Sequence, residues 1–185
     1  MFNSLADFTG VLQALLNLIT LWVLKRTLDS ATASVNTSQL ALEVSQRPYV
    51  VPAAANSAPL VENQKAVFGV QLRNVGNTPA LDLRIRAGAF WTDQPLPETL
   101  DYEPTFQEGP IPLGRDVNCN VPTPTHHPFN ALDIQDITAR RRKVHIYGVA
   151  SYTDIFNKQH ETRWCFTYNP QGPLLDSAPK HNSAS

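Results

Sequence analysis

Hydrophobic positions change their rhythm twice along the chain. Residues 8–24 read FTGVLQALLNLITLWVL, without a charge, and ten of them are Leu, Ile, Val or Phe. As a helix the stretch reaches about 26 Å at ~1.5 Å per residue, slightly less than a hydrocarbon core of about 30 Å, and each large apolar side chain favours insertion by about 0.3–0.6 kcal/mol. The pattern predicts a transmembrane anchor over residues 1–26, with Trp22 at one interface. Over residues 27–47 the chain becomes polar and rich in Ser, Thr and Ala, yet has neither Gly nor Pro. Leu21, Leu28, Val35 and Leu42 recur every seventh position, with Leu24, Ala31, Ser38 and Ser45 between them. This weak heptad predicts a helical stalk that packs its Leu/Val edge on the domain or on a partner.

Beyond Pro48 the period becomes two. Phe68, Val70 and Leu72 alternate with Gly69, Gln71 and Arg73, and Leu81, Leu83 and Ile85 alternate with Asp82, Arg84 and Arg86. Such half-buried strands flank Asn74-Val75-Gly76-Asn77-Thr78-Pro79, whose Asn, Gly and Pro residues suit a chain reversal. Further strands are expected at residues 49–54, 116–121, 144–153 and 161–168, the last two joined by a hairpin with Asn157 in a left-handed conformation. Residues 134–142 read as one short helix. Many short strands separated by turns predict a mainly β fold, an immunoglobulin-like antiparallel β-sandwich over residues 48–170 preceded by the transmembrane helix and stalk. Residues 171–185, with no apolar period beyond Leu174-Leu175, read as a flexible tail.

Charge sets orientation and limits the function classes. The 185 residues hold 15 Lys+Arg against 16 Asp+Glu, so no global basic excess invites nucleic acid. Residues 1–24 carry Asp7 as their one charged side chain, whereas Lys25 and Arg26 follow the apolar stretch directly. A signal peptide ending at Ala31-Thr32-Ala33 would want its basic residues before that stretch. The positive-inside tendency instead places the soluble domain in the cytoplasm and the N-terminus outside. Within the span, Thr9, Gln13, Asn17 and Thr20 form one stripe of a helix, a candidate helix-helix contact, since amides facing another helix hydrogen-bond across it.

The candidate chemistry is sparse. Cys119 and Cys165 are far apart and read as core residues, becoming a credible disulfide only outside the cytoplasm. His126 and His127 point opposite ways on an extended chain, and no Cys or His spacing matches a metal motif, so neither metal nor cofactor is expected. Asp154 and His160 flank one hairpin, where an Asp ordinarily caps the turn. Asp93, Glu98, Asp101, Glu103 and Glu108 fall in a Pro-rich stretch without Lys or Arg. Arg140, Arg141, Arg142 and Lys143 form the opposite cluster, a candidate surface contact that meets anionic headgroups at about 1 kcal/mol per charge if it faces the inner leaflet.

Residues 45–50 (Ser-Gln-Arg-Pro-Tyr-Val), residues 72–80 with their Asn-x-Gly-x-Thr-Pro-Ala turn, and the Tyr-x-Asp-x-Phe hairpin within residues 147–168 carry a resemblance. Together they resemble uncharacterised bacterial single-pass membrane proteins with a helical linker and an immunoglobulin-like domain. The resemblance implies architecture and lends no activity. The sequence thus leads to a non-enzymatic, membrane-anchored interaction or accessory subunit, with the bilayer and a membrane protein or second copy as partners. The alternative is an envelope sensor or adaptor whose sandwich binds a ligand and signals through the stalk.

Overall fold

A computed structural model of the chain describes residues 5–57, 59–100, 103–172 and 175–184, with side chains in the first helix described from Thr9 onward. The side chain of Asp7, and residues Asp101 and Leu174, named above, therefore lie outside what is described. The chain divides into two units, one ending at Ser45 and one beginning at Gln46.

The first unit is a single helix, α1 (Leu5–Ser45). Span and stalk are continuous, because nothing between them breaks the helix: the first Pro is Pro48, and the residue before a proline is steered to extended backbone. All of its large apolar side chains from Val11 to Val44 are exposed. By length and composition, α1 is able to cross a membrane.

The second unit is an antiparallel β-sandwich. One sheet has the order β1-β2-β5, built from β1 (Val50–Asn56), β2 (Val67–Asn74) and β5 (Asn118–Pro124). The other runs β4-β3-β6-β7-β8, with β9 also on β7. Its strands are β3 (Ala80–Thr92), β4 (Phe106–Leu113), β6 (Lys143–Thr153), β7 (Gln159–Tyr168), β8 (Leu175–Ser177) and β9 (Ser183–Ala184). The fifth strand returns to the second while the third, sixth and seventh share the opposite sheet, which is the immunoglobulin connectivity.

The period-two pattern builds the core. Phe68, Val70 and Leu72 of β2 face Leu83, Ile85, Ala87 and Ala89 of β3 and Val144, Ile146 and Ala150 of β6, all buried. Trp164 fills the centre and is 1% exposed. It fits because its cross-strand partner is Gly148: a Cβ there would stand 2.5 Å from Trp164 Cε2. The outer face of the larger sheet carries a second cluster, Phe90, Tyr147, Cys165 and Ala178, covered by Leu96 and Leu100.

Three expectations change. Strand β4 was not among those expected, because FQEGPIPL does not alternate and its pairing with β3 is irregular. The short helix expected at 134–142 is α2 (Ala131–Thr138), started by an Asn130/Asp133 capping box and stopped before Arg140, whose φ is 61°. The segment expected to be a flexible tail pairs with β7 through β8 and β9. Leu175 and Ala178 are buried, and Asn182 Oδ1 accepts from the Cys165 N–H at 2.9 Å. Isolated anchors of this kind have no period to read.

Candidate functional site

The Asn-x-Gly-x-Thr-Pro turn fastens the start of the domain. Buried Asn74 accepts from the Tyr49 N–H at 3.1 Å and the Gly76 N–H at 3.0 Å, and donates to the Thr78 carbonyl at 2.7 Å and the Leu113 carbonyl at 3.1 Å. Thr78 Oγ1 donates to the Gln46 carbonyl. Gly76 is required by close approach, since a Cβ would lie 2.5 Å from Tyr49 N. The turn motif is thus a clasp on residues 46–49, the segment that leaves α1. Arg47 stacks over Tyr49, 4.9 Å from the ring centroid.

On α1, Thr9, Gln13, Asn17 and Thr20 share one face by helical geometry. Gln13 Nε2 donates to Asn17 Oδ1 at 3.1 Å, and Thr20 Oγ1 donates to the Leu16 carbonyl at 2.8 Å. The stripe is partly satisfied inside its own helix, which lessens its pull on another. An amide pair still has further donor and acceptor capacity for a neighbour.

The basic run is more tightly engaged than its charge implies. Arg142 Nη1 lies 2.6 Å from Asp133 Oδ1, and Arg141 Nη2 lies 2.6 Å from Asp136 Oδ1. Arg140 Nη2 donates to Gln171 Oε1 at 2.7 Å. Two of the four cations therefore tie the residues just before β6 back to the acidic side chains of α2. Arg140 and Lys143 keep their charge uncompensated, as no ion pair to either occurs among the described residues. Asp133 and Asp136, just upstream, were the signal that this run is half neutralised.

The acidic stretch is also partly docked. Leu96 and Leu100 lie on the outer cluster, and Tyr147 Oη donates to the Glu103 carbonyl at 3.2 Å. Glu98 pairs with Lys180, whose hydrogen bond and charge hold that carboxyl below its ordinary range.

Asp154 caps its hairpin and meets His160 as well. Its Oδ1 accepts from the Phe156 and Lys158 N–H groups at 2.9 and 2.8 Å, while Oδ2 lies 2.9 Å from His160 Nε2. Burial alone would raise this carboxyl, but the hydrogen bonds from His160 and the two N–H groups outweigh it and hold it below its usual value. Tyr152 packs on His160 with ring centroids 5.5 Å apart. The arrangement is a braced hairpin turn, anchored by buried Asp154 with its tip exposed.

Cys119 and Cys165 are both free thiols, in different clusters. Burial pushes Cys165 up to about 12, so it is a core group and no nucleophile. Burial, then Glu108, also raises Cys119. The rings of His126 and His127 are 6.3 Å apart. Among the described residues no three His, Cys, Asp or Glu side chains are placed to hold a metal ion.

His145 lies on β6. It is 3% exposed, its Nδ1 lies 3.2 Å from Thr167 Oγ1, and its Nε2 is buried without a partner. Burial and then Lys143 lower it to about 4, so the ring is neutral at pH 7.

No curated protein and no solved structure matches the chain. A family model described as a domain of unknown function, DUF8453, matches residues 7–170, which include both the apolar helix and the sandwich. The chain belongs to the DUF8453 family.

Proposed function

We propose that the protein is a non-enzymatic, single-pass membrane subunit that holds its β-sandwich at the membrane surface to dock on a larger membrane protein assembly. One observation carries this reading: α1 runs unbroken from an uncharged span into a polar stalk, with every large apolar side chain from Val11 to Val44 exposed. A helix with that much bare apolar surface needs lipid or another helix around it. Lys25 and Arg26 at the end of the span favour a cytoplasmic sandwich with the N-terminus outside. Docking runs through loops, because the outer strands carry Pro52 in β1, Pro110 and Pro112 in β4, and Pro122 and Pro124 in β5, residues that block strand addition.

Crosslinking mass spectrometry on intact membranes, after carbonate washing, tests the proposal. The protein is expected in the washed membranes, with reproducible crosslinks from the sandwich to one constant membrane protein. Release by carbonate, or crosslinks to copies of itself alone, would overturn it.

A further inference from the structure

Where β3 ends and β6 begins, the domain has a cavity of about 420 Å³ lined by Thr92, Asp93, Leu96, Arg140, Lys143 and His145. Two of its linings are cations that form no ion pair among the described residues, Arg140 and Lys143. A third is His145, whose buried Nε2 has no partner. The contact between Thr167 Oγ1 and Nδ1 allows either tautomer of the neutral ring; where the hydroxyl donates, the proton sits on Nε2, and a bound acceptor would select that form. A buried polar atom without a partner is destabilising, and a bound ligand that pairs with it would relieve that cost. Arg141 also lines the cavity but is tied to Asp136, and Asp93 supplies the negative charge on the rim.

We propose that this cavity binds a phosphate group, held by Arg140, Lys143 and the His145 Nε2–H. Three donors of separate origin suit the three terminal oxygens of a phosphate monoester better than the two coplanar oxygens of a carboxylate. Leu96, Pro95 and Pro179 add an apolar wall for the body of the ligand. A neutral imidazole gives its hydrogen bond without adding a third positive charge beside the exposed Arg140 and Lys143.

The phosphate could belong to a soluble monoester or to a lipid headgroup, and the test below separates the two. Residues 46–49 sit by Asn74 and Thr78, at the end of the sandwich where β3 starts; Leu81 there pairs with Thr153. Lys143 pairs with Thr92 at the opposite end, and β6 between them spans about 33 Å at ~3.3 Å per residue. The cavity thus opens far from the segment that leaves α1. This inference does not depend on a docking partner.

Titration calorimetry on the full chain in dodecyl maltoside, in phosphate-free buffer at pH 7, tests it with three probes: inorganic phosphate, glycerol 3-phosphate, and mixed micelles containing phosphatidic acid. Saturable binding of the first two is expected. Lys143→Ala and His145→Gln should each weaken it at least about tenfold, the loss of one charge-assisted or buried hydrogen bond. Lys143→Arg should retain binding, and Arg163→Ala, on another part of the sheet, should leave it unchanged. Variant-sensitive binding of phosphatidic acid alone would support the phosphate site and assign it to lipid. Absence of saturable binding for all three probes, or equal binding by Lys143→Ala and His145→Gln, would overturn the proposal.

Discussion

Acidification should unfold this domain partly through His145. The folded ring is 3% exposed, and burial with Lys143 lowers it from 6.5 to about 4. Between those values the unfolded chain binds a proton that the folded chain refuses, so protonation favours unfolding. The contribution is complete above pH 6.5, declines as the pH falls toward 4, and changes no further below that. At ~1.36 kcal/mol per pH unit the gap amounts to about 3 kcal/mol at most, a large part of the roughly 5–15 kcal/mol typical of a domain. Asp154 also loses stabilisation in acid, but its depressed carboxyl acts below the 3.8 of a free Asp, outside the His145 window. Urea unfolding of the full chain in dodecyl maltoside, followed by tryptophan fluorescence from pH 7 to 4.5, measures the slope. The wild type should lose about 2–3 kcal/mol over that interval, and His145→Gln, which cannot take up charge, should lose correspondingly less. Parallel slopes in the two proteins would refute the reasoning.

Two further outcomes probe the scaffold. Gly148→Ala forces a Cβ to within 2.5 Å of Trp164 Cε2 in a filled core and should cost about 1–3 kcal/mol in urea unfolding; no loss would mean that the indole does not lie over Gly148. Asn74→Ala removes four hydrogen bonds from a buried position and should cost about 2–4 kcal/mol. Hydrogen exchange should then quicken at the Tyr49 and Gly76 amides, and unchanged protection there would remove the clasp.

Strands were legible where one face is wet. β2 and the first half of β3 alternate because one side meets the core and the other water, and β6 and β7 declared themselves through Val, Ile, Tyr and Trp. Past Ala87 the rhythm fails, because Gly88, Ala89 and Phe90 are buried on both faces once Leu96 and Leu100 cover the outer one. The cover comes from another part of the chain, and nothing local announces it. The same cause hid the cavity: Arg140 and Lys143 were visible as charge, but Pro95, Leu96 and Pro179 reach them across the fold, and so the isolation of His145 could not be read from its neighbours. α1 was legible as a whole because its signal, an uncharged run followed by a run without breakers, is local.

The proline content acquires a structural meaning from these edges. With 15 Pro against 8 Gly, the sequence looks rich in turns, and many prolines do occupy them. Five instead lie within the outer strands, at positions 52, 110, 112, 122 and 124. Each removes a backbone donor that a foreign strand would need, and the remaining edge of the larger sheet is closed by strands of three and two residues. On the reading proposed above, a domain tethered at a membrane would meet its own copies at high local concentration, where open sheet edges would pair indiscriminately. Under that proposal, blocked edges would leave recognition to side chains off the strands, and charge is concentrated there at Asp93, Glu98 and residues 140–142. Asp93, Arg140, Arg141 and Lys143 also line the cavity proposed to hold phosphate, so a partner seated there would compete with such a ligand, and docking would respond to it.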